Sequence, residues 1–258
     1  MIRLLITCLV AVAFIFGLWS IVLTDRMLIN GIEKSLMDGD LHVEVTDLKK
    51  GLFFDFKSAH MTLKKSDRAL ISIDDVTGRI NPLKLLTGKP PLDFRGNVGG
   101  GRIDGEAGFF KRSSANIRVY KANIEEIPFF AFSGLEGNGA VSGECRLAKG
   151  TGDIKFVVKD AHLKNGSFGG ISVPLDVFHD AKGAMAIEGP TVKIVSFSLE
   201  GEGIYARIKG NIIGKKLDVT LELMPDRSFK ESIAFSALGN YRVSPGYFVI
   251  PITTTLPF

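Results

Sequence analysis

The run from Leu4 to Leu23 contains no charged residue. Arg3 closes it on one side, and Asp25 with Arg26 on the other. A helix needs roughly 20 apolar residues to cross a hydrocarbon core, and this run has that length. Leu4, Leu9, Phe14, Phe16, Leu18, Trp19 and Leu23 read as its anchoring side chains. Trp19 lies near one end, where an amphipathic ring suits the headgroup layer. The expectation is an uncleaved transmembrane anchor over residues 1–26. A cleaved signal peptide and a buried soluble helix are the alternatives. The first wants a shorter apolar core and a small-x-small cleavage site, and Trp19-Ser20-Ile21-Val22 offers a poor one. A short N terminus inside and a large domain outside is the simplest orientation, although charge alone decides little before a long domain.

Residues 27–40 continue helically, with Ile29, Ile32 and Leu36 at helical spacing and Gly39 as the stop. The period then changes to two. Leu41, Val43 and Val45 alternate with His42, Glu44 and Thr46, a half-buried strand. Lys49-Lys50-Gly51 reads as a turn, after which Leu52, Phe54 and Phe56 share a face. Beyond Lys57 the apolar parity moves to Ala59, Met61 and Leu63, which requires a bulge or a bend. Asn81-Pro82 opens a short helix that Gly88 ends. Asn123-Ile124-Glu125-Glu126 has capping-box spacing. Strands are expected near 71–73, 92–94, at Ile103, and over 141–147, 154–158, 192–199, 204–212, 217–223 and 241–252. A helix is expected over 228–238. Residues 41–258 thus form one mainly β, antiparallel domain with a few short helices. Gly101-Arg102-Ile103-Asp104-Gly105 is echoed by Gly139-Ala140-Val141-Ser142-Gly143, and more loosely by Ala206-Arg207-Ile208-Lys209-Gly210. Glycine inside a strand marks a bulge, a bend or a close approach.

Chemistry is sparse. The four histidines, His42, His60, His162 and His179, have no second His or Cys at ligand spacing. No nucleophile elbow or Walker loop appears. Gly99-Gly100-Gly101 precedes a strand, not the helix that a phosphate cradle needs. The Asp74-Asp75 pair reads as a turn. No catalytic residue, metal or cofactor is assigned. The net charge of +4 is scattered and argues against nucleic acid. Two cysteines, Cys8 and Cys145, exclude a disulfide framework. The informative pattern is apolar: Phe54, Phe56, Phe94, Phe109, Phe156 and Val158 line strand faces. Alternation alone fits a closed core or a hydrophobic groove open to acyl chains.

Taken together, the N-terminal span, Ile71-Ser72-Ile73-Asp74-Asp75-Val76, Asn81-Pro82-Leu83-Lys84-Leu85-Leu86-Thr87-Gly88, Ile127-Pro128, Gly134-Leu135-Glu136-Gly137-Asn138-Gly139-Ala140-Val141-Ser142-Gly143 and Ile250-Pro251-Ile252 resemble the N component of bacterial type II secretion systems (GspN). More distantly the chain is similar to AsmA-like proteins. The first resemblance implies a non-enzymatic protein of the cell inner membrane with a periplasmic β domain. Its expected partners are that membrane and other type II secretion components. The second implies a curved sheet with a hydrophobic groove that handles phospholipid.

Overall fold

The computed structural model describes residues 16–35, 40–87, 90–108, 114–164, 166–168, 171–173, 175–229 and 238–255. Leu4, Leu9 and Phe14 of the expected span, Phe109, Gly39 and most of the expected 228–238 helix lie outside the described residues. Among the described residues no helix is long and apolar enough to cross a membrane.

The described N-terminal part is a helical turn over 16–22, π-helical from Leu18 to Val22, followed by α1 (Asp25–Ser35). The strands follow: β1 (Leu41–Thr46), β2 (Lys49–Lys50), β3 (Asp55–Lys65) and β4 (Arg68–Ile80). Helix α2 (Pro82–Leu86) leads to β5 (Leu92–Val98), β6 (Gly101–Ala107) and β7 (Ala115–Asn123). Helix α3 (Pro128–Phe132) precedes β8 (Gly137–Ala148) and β9 (Thr151–Leu163). The small hairpin of β10 (Gly166–Phe168) and β11 (Ile171–Val173) interrupts the sheet. Then come β12 (Phe178–Glu188), β13 (Thr191–Gly201), β14 (Ile204–Ile213), β15 (Lys216–Pro225), β16 (Arg242–Ser244) and β17 (Tyr247–Thr255).

All strands except β10 and β11 form one 15-stranded antiparallel sheet. Its order is nearly the order of the chain, from β1 at one edge to β17 and β16 at the other. Among the described residues the two edges do not pair with each other, so this sheet is open and not a closed barrel.

The registers put the apolar residues of every strand on one face. One row across the sheet runs Phe94, Gly105, Ile117, Cys145, Ile154, Met185, Ile194, Gly210, Val219, Ile252. The opposite face carries paired charges. Arg118 meets Asp104 at 2.8 Å, Arg146 meets Glu144 at 2.9 Å, and Lys209 meets Glu222 at 3.0 Å. The Arg118–Asp104 and Lys209–Glu222 pairs cross between strands and support the register, while Arg146–Glu144 lies along β8.

Bulges interrupt several strands. Register shifts fall next to Asp75, Lys121 and Asp160, each with φ near 50°. Each lets the apolar face continue across the break, from Val119 to Ala122 and from Val158 to Ala161. No register shift falls in β3 just after Lys57, where the sequence places a bulge or bend; the shift lies on β4 against β5, at Asp75, where Ile73 and Val76 both lie over Gly96.

The two ends of the strands differ. At one end Ile124 and Ile127 after β7, Leu175 before β12 and Leu238 before β16 pack over the apolar face. Ile127 packs on Val98, Ile103 and Ala122, and Ile124 on Val158 and Ala161. Leu175 and Leu238 close over Ala206, Leu223 and Ile250. At the other end the turns 149–150, 189–190 and 214–215 have two residues each and cover nothing.

Several local expectations hold. Asn81 Oδ1 accepts from the backbone N–H of Leu83, and Asn123 Oδ1 from that of Glu125. Others change. Lys49–Lys50 is not a turn but a two-residue strand on β3. Leu52 and Phe54 are not strand residues. The loop 51–54 ends with Phe54 at φ 59°, which turns its ring inward. The tail expected as one strand over 241–252 is split by the turn at Pro245-Gly246 into β16 and β17. Strands β7 and β12 were not expected from the sequence. Strand β12 is rich in Ala and Gly, residues of low strand propensity, and is held by its neighbours.

The α2 helix is tied to the sheet by Lys84, whose Nζ donates to Asp93 at 2.8 Å and Glu106 at 3.1 Å. The Asp93 hydrogen bond is the main cause that lifts its ammonium above the ordinary lysine value of 10.5. A raised folded-state pKa stabilises fully below the unfolded value and is lost as pH climbs through the folded one. Lys84→Met is therefore expected to cost up to about 1 kcal/mol at neutral pH. Denaturant titrations should show this deficit shrink above about pH 10.5, the unfolded lysine range.

Candidate hydrophobic surface

Of the residues assigned to a groove from sequence, Phe56, Phe94, Phe156 and Val158 lie on the apolar face and Phe54 in the loop before β3, in different environments, while Phe109 lies outside the described residues. Phe56 is 2% exposed and closed beneath the N-terminal segment, with Val45, Leu48 and Trp19. Phe54 stacks on Trp19 at 5.0 Å between ring centroids. Val158 is buried under Ile124. These three are core, not groove, because connecting segments pack over them. Phe94 and Phe156 are half-buried and sit on the uncovered part of the sheet.

Both lie over glycines of adjacent strands. A Cβ at Gly183 would meet Phe156 Cε1 at 2.5 Å, and one at Gly105 would meet Phe94 Cε1 at 3.1 Å. Gly105, Gly143 and Gly210, the repeated glycines of the sequence, all face this side. The large ring and the missing side chain are complementary, which keeps the face level.

Two of the described anchor residues, Trp19 and Leu23, pack on the sheet. Trp19 is 6% exposed, and its Nε1 donates to the carbonyl of Gly51 at 2.9 Å. Leu23 packs on the same cluster. Lys50 Nζ donates to the carbonyls of Trp19 and Leu23, satisfying the end of the helical turn. Trp19 is thus docked on the loop and sheet below it. Phe16 is exposed, with its ring 6.0 Å from that of Phe53. Leu18 lies in the π-helical turn.

Alternation pointed only to the aromatic residues, while the uncovered band is mostly aliphatic. Leu147, Ile187, Val192, Ile212 and Leu217 line it next to the tight turns, all half-buried. One step inward lie Ile117, Cys145, Ile154, Met185 and Ile208. The signal that could have found them is the cross-strand register, which a single strand's pattern does not contain. Cys145 is the chemical marker of this band. Burial, with a smaller contribution from Asp153, pushes its thiol above the ordinary range, so it is a slow nucleophile.

Shallow depressions of about 760 and 810 Å³ lie on the opposite face. The first is lined by Arg118, Tyr120, Lys155, Val157, Lys182 and Arg207. Asp104 and Glu222 neutralise Arg118 and Lys209 there, so the surface is a ladder of alternating charge. His60 bonds Asp74 at 2.7 Å on the exposed surface. Among the described residues no three His, Cys, Asp or Glu side chains are grouped to hold a metal ion. No family model, curated protein or solved structure matches this chain.

Proposed function

We propose that this chain is a non-enzymatic protein, anchored in the bacterial inner membrane by residues 4–23 with its sheet in the periplasm. In this reading it is accessory to type II protein export, as its resemblance to GspN implies. The observation that supports a partner-binding role is the free edge of β17. Strand β16 pairs only with Tyr247 and Phe248, so the outer side of Val249–Thr255 has no strand beside it among the described residues. A partner strand added there gains backbone hydrogen bonds. Pro251 lacks an N–H and suits an edge, and it limits indiscriminate pairing. A photocrosslinker at Thr253 is expected to capture a secretion component in cells. No capture, together with unchanged exoprotein export in a deletion strain, defeats this reading.

A second reading is favoured by the uncovered apolar band: an AsmA-like module that binds or moves phospholipid on a curved sheet. Acyl chains laid across Ile154, Met185 and Ile187 would be removed from water at roughly 0.8 kcal/mol per CH₂. The full chain with Cys8→Ser, held in nanodiscs, gives Cys145 as a reporter. Added phospholipid is expected to slow its alkylation at least tenfold, and Ile187→Glu with Ile212→Glu to restore the rate. An alkylation rate indifferent to lipid counts against this reading.

A further inference from the structure

We infer that the tip formed by Leu52 and Phe53 is a second point of membrane contact, inserted into the hydrocarbon beside the N-terminal span. The inference rests on the reading of residues 4–23 as that span. Leu52 and Phe53 are 68% and 64% exposed. Two large apolar side chains in water are unfavourable, yet the loop that carries them is tightly built. The backbone N–H of Phe53 donates to Asp55 Oδ1 at 2.9 Å, and that of Gly51 to the Asp55 carbonyl at 2.8 Å. The carbonyl of Phe54 accepts from Ile80 at 2.7 Å. A Cβ on Gly51 would strike the Asp55 carboxylate. The loop is therefore held in a shape that turns Phe54 inward onto Trp19 and leaves its two neighbours outside.

What lies beside the tip identifies the occupant. The Phe53 ring rests against Phe16, inside the uncharged run. Phe16 is seven residues before Leu23, the end of that run. The helical turn over 16–22 lies between them, so Phe16 sits below the level where the run ends. If Phe16 is in hydrocarbon, Phe53 is at the same depth. Ile21, Val22 and Met27, close to Phe16 in the chain, are exposed as well. Polar groups flank the tip on its inner side: Asp25 Oδ1 accepts from the Lys50 backbone N–H at 3.0 Å, and Phe53 borders the depression that holds Asp55, Arg79 and Arg95. The bilayer core is the one occupant that suits both the span and the tip.

The test uses the full chain with Cys8 and Cys145 replaced by serine, reconstituted into phosphatidylethanolamine–phosphatidylglycerol vesicles. A single cysteine at Leu52, Phe53 or Ser196 carries an environment-sensitive nitrobenzoxadiazole label. Ser196 is exposed within the sheet and serves as the aqueous control. Trp19 emission reports that the N-terminal segment stays docked. The expected result is blue-shifted emission at 52 and 53, quenched severalfold by spin-labelled acyl chains, with neither effect at 196. Emission at 52 and 53 equal to that at 196, in chains that float with the vesicles, overturns the inference and leaves the anchor standing. Blue-shifted emission that lipid-borne quenchers do not reach also overturns it, and assigns the tip to a protein contact. Failure of the chain to float with the vesicles overturns the anchor reading and this inference with it.

Discussion

Replacing Gly78 with alanine is expected to destabilise the protein by about 1–3 kcal/mol, the range for an overpacked core. A Cβ there would lie 2.5 Å from Phe56 Cε1. The ring cannot swing away, because Trp19, Val45 and Leu48 close over it. Phe56→Ala should cost more, about 3–5 kcal/mol, since it leaves a cavity at a fully buried site. The two changes should not add. In a Phe56→Leu background the smaller side chain yields space, and Gly78→Ala should lose most of its cost. Urea unfolding of the four proteins in this cycle gives the coupling directly. Additive costs would mean that the ring and the glycine do not share space.

Gly210→Ala should be as severe and should have no such rescue. Gly210 has φ 141°, a conformation that side chains rarely adopt. Its added Cβ would meet the Asp218 carbonyl and Val219 Cα, the latter at 2.6 Å. Both are backbone atoms of the partner strand, so only separation of β14 from β15 relieves the contact. A cost above about 2 kcal/mol is expected from strain and lost pairing. Neither Val219→Ala nor any other trimming of a neighbour should recover it. Hydrogen exchange would show the loss as early opening of 204–225, with the N-terminal strands still protected. An unchanged exchange pattern would refute this.

Gly78 and Gly210 also show where sequence reading stops. Gly78 follows Asp74-Asp75, which the sequence reads as a turn and the structure places inside β4, whereas Gly210 sits in an alternating pattern that marks a close approach. It does not say whether a ring or a backbone fills the space, because the answer sits on another strand. The same limit applies to the candidate surface. Phe56 and Phe156 are equivalent in the sequence, each an aromatic flanked by lysine. Phe56 is closed beneath Trp19 while Phe156 stays half-buried beside Phe197, since coverage depends on links far along the chain. Class and polarity were legible from period-two alternation, as at Leu41–Thr46. The cap at Asn81 was legible from local chemistry. Strand β12 was not legible, because Gly183 and its alanines are stable only beneath Phe156 and Phe197. The uncovered band was illegible for the same reason: it is the part of a shared face that no link happens to reach.

Because strand order follows chain order, each hairpin touches chiefly the one made before it and the one made after it. Such a sheet is nearly one-dimensional, and its stability is a sum of neighbour terms. Nothing in its centre must wait for its C terminus. The sheet can therefore build by accretion as the chain is delivered, strand upon strand, from the end nearest Leu23. The same logic makes its width an adjustable length. Adding or deleting a pair of strands in the middle would lengthen or shorten the apolar track by about 10 Å while leaving both ends intact.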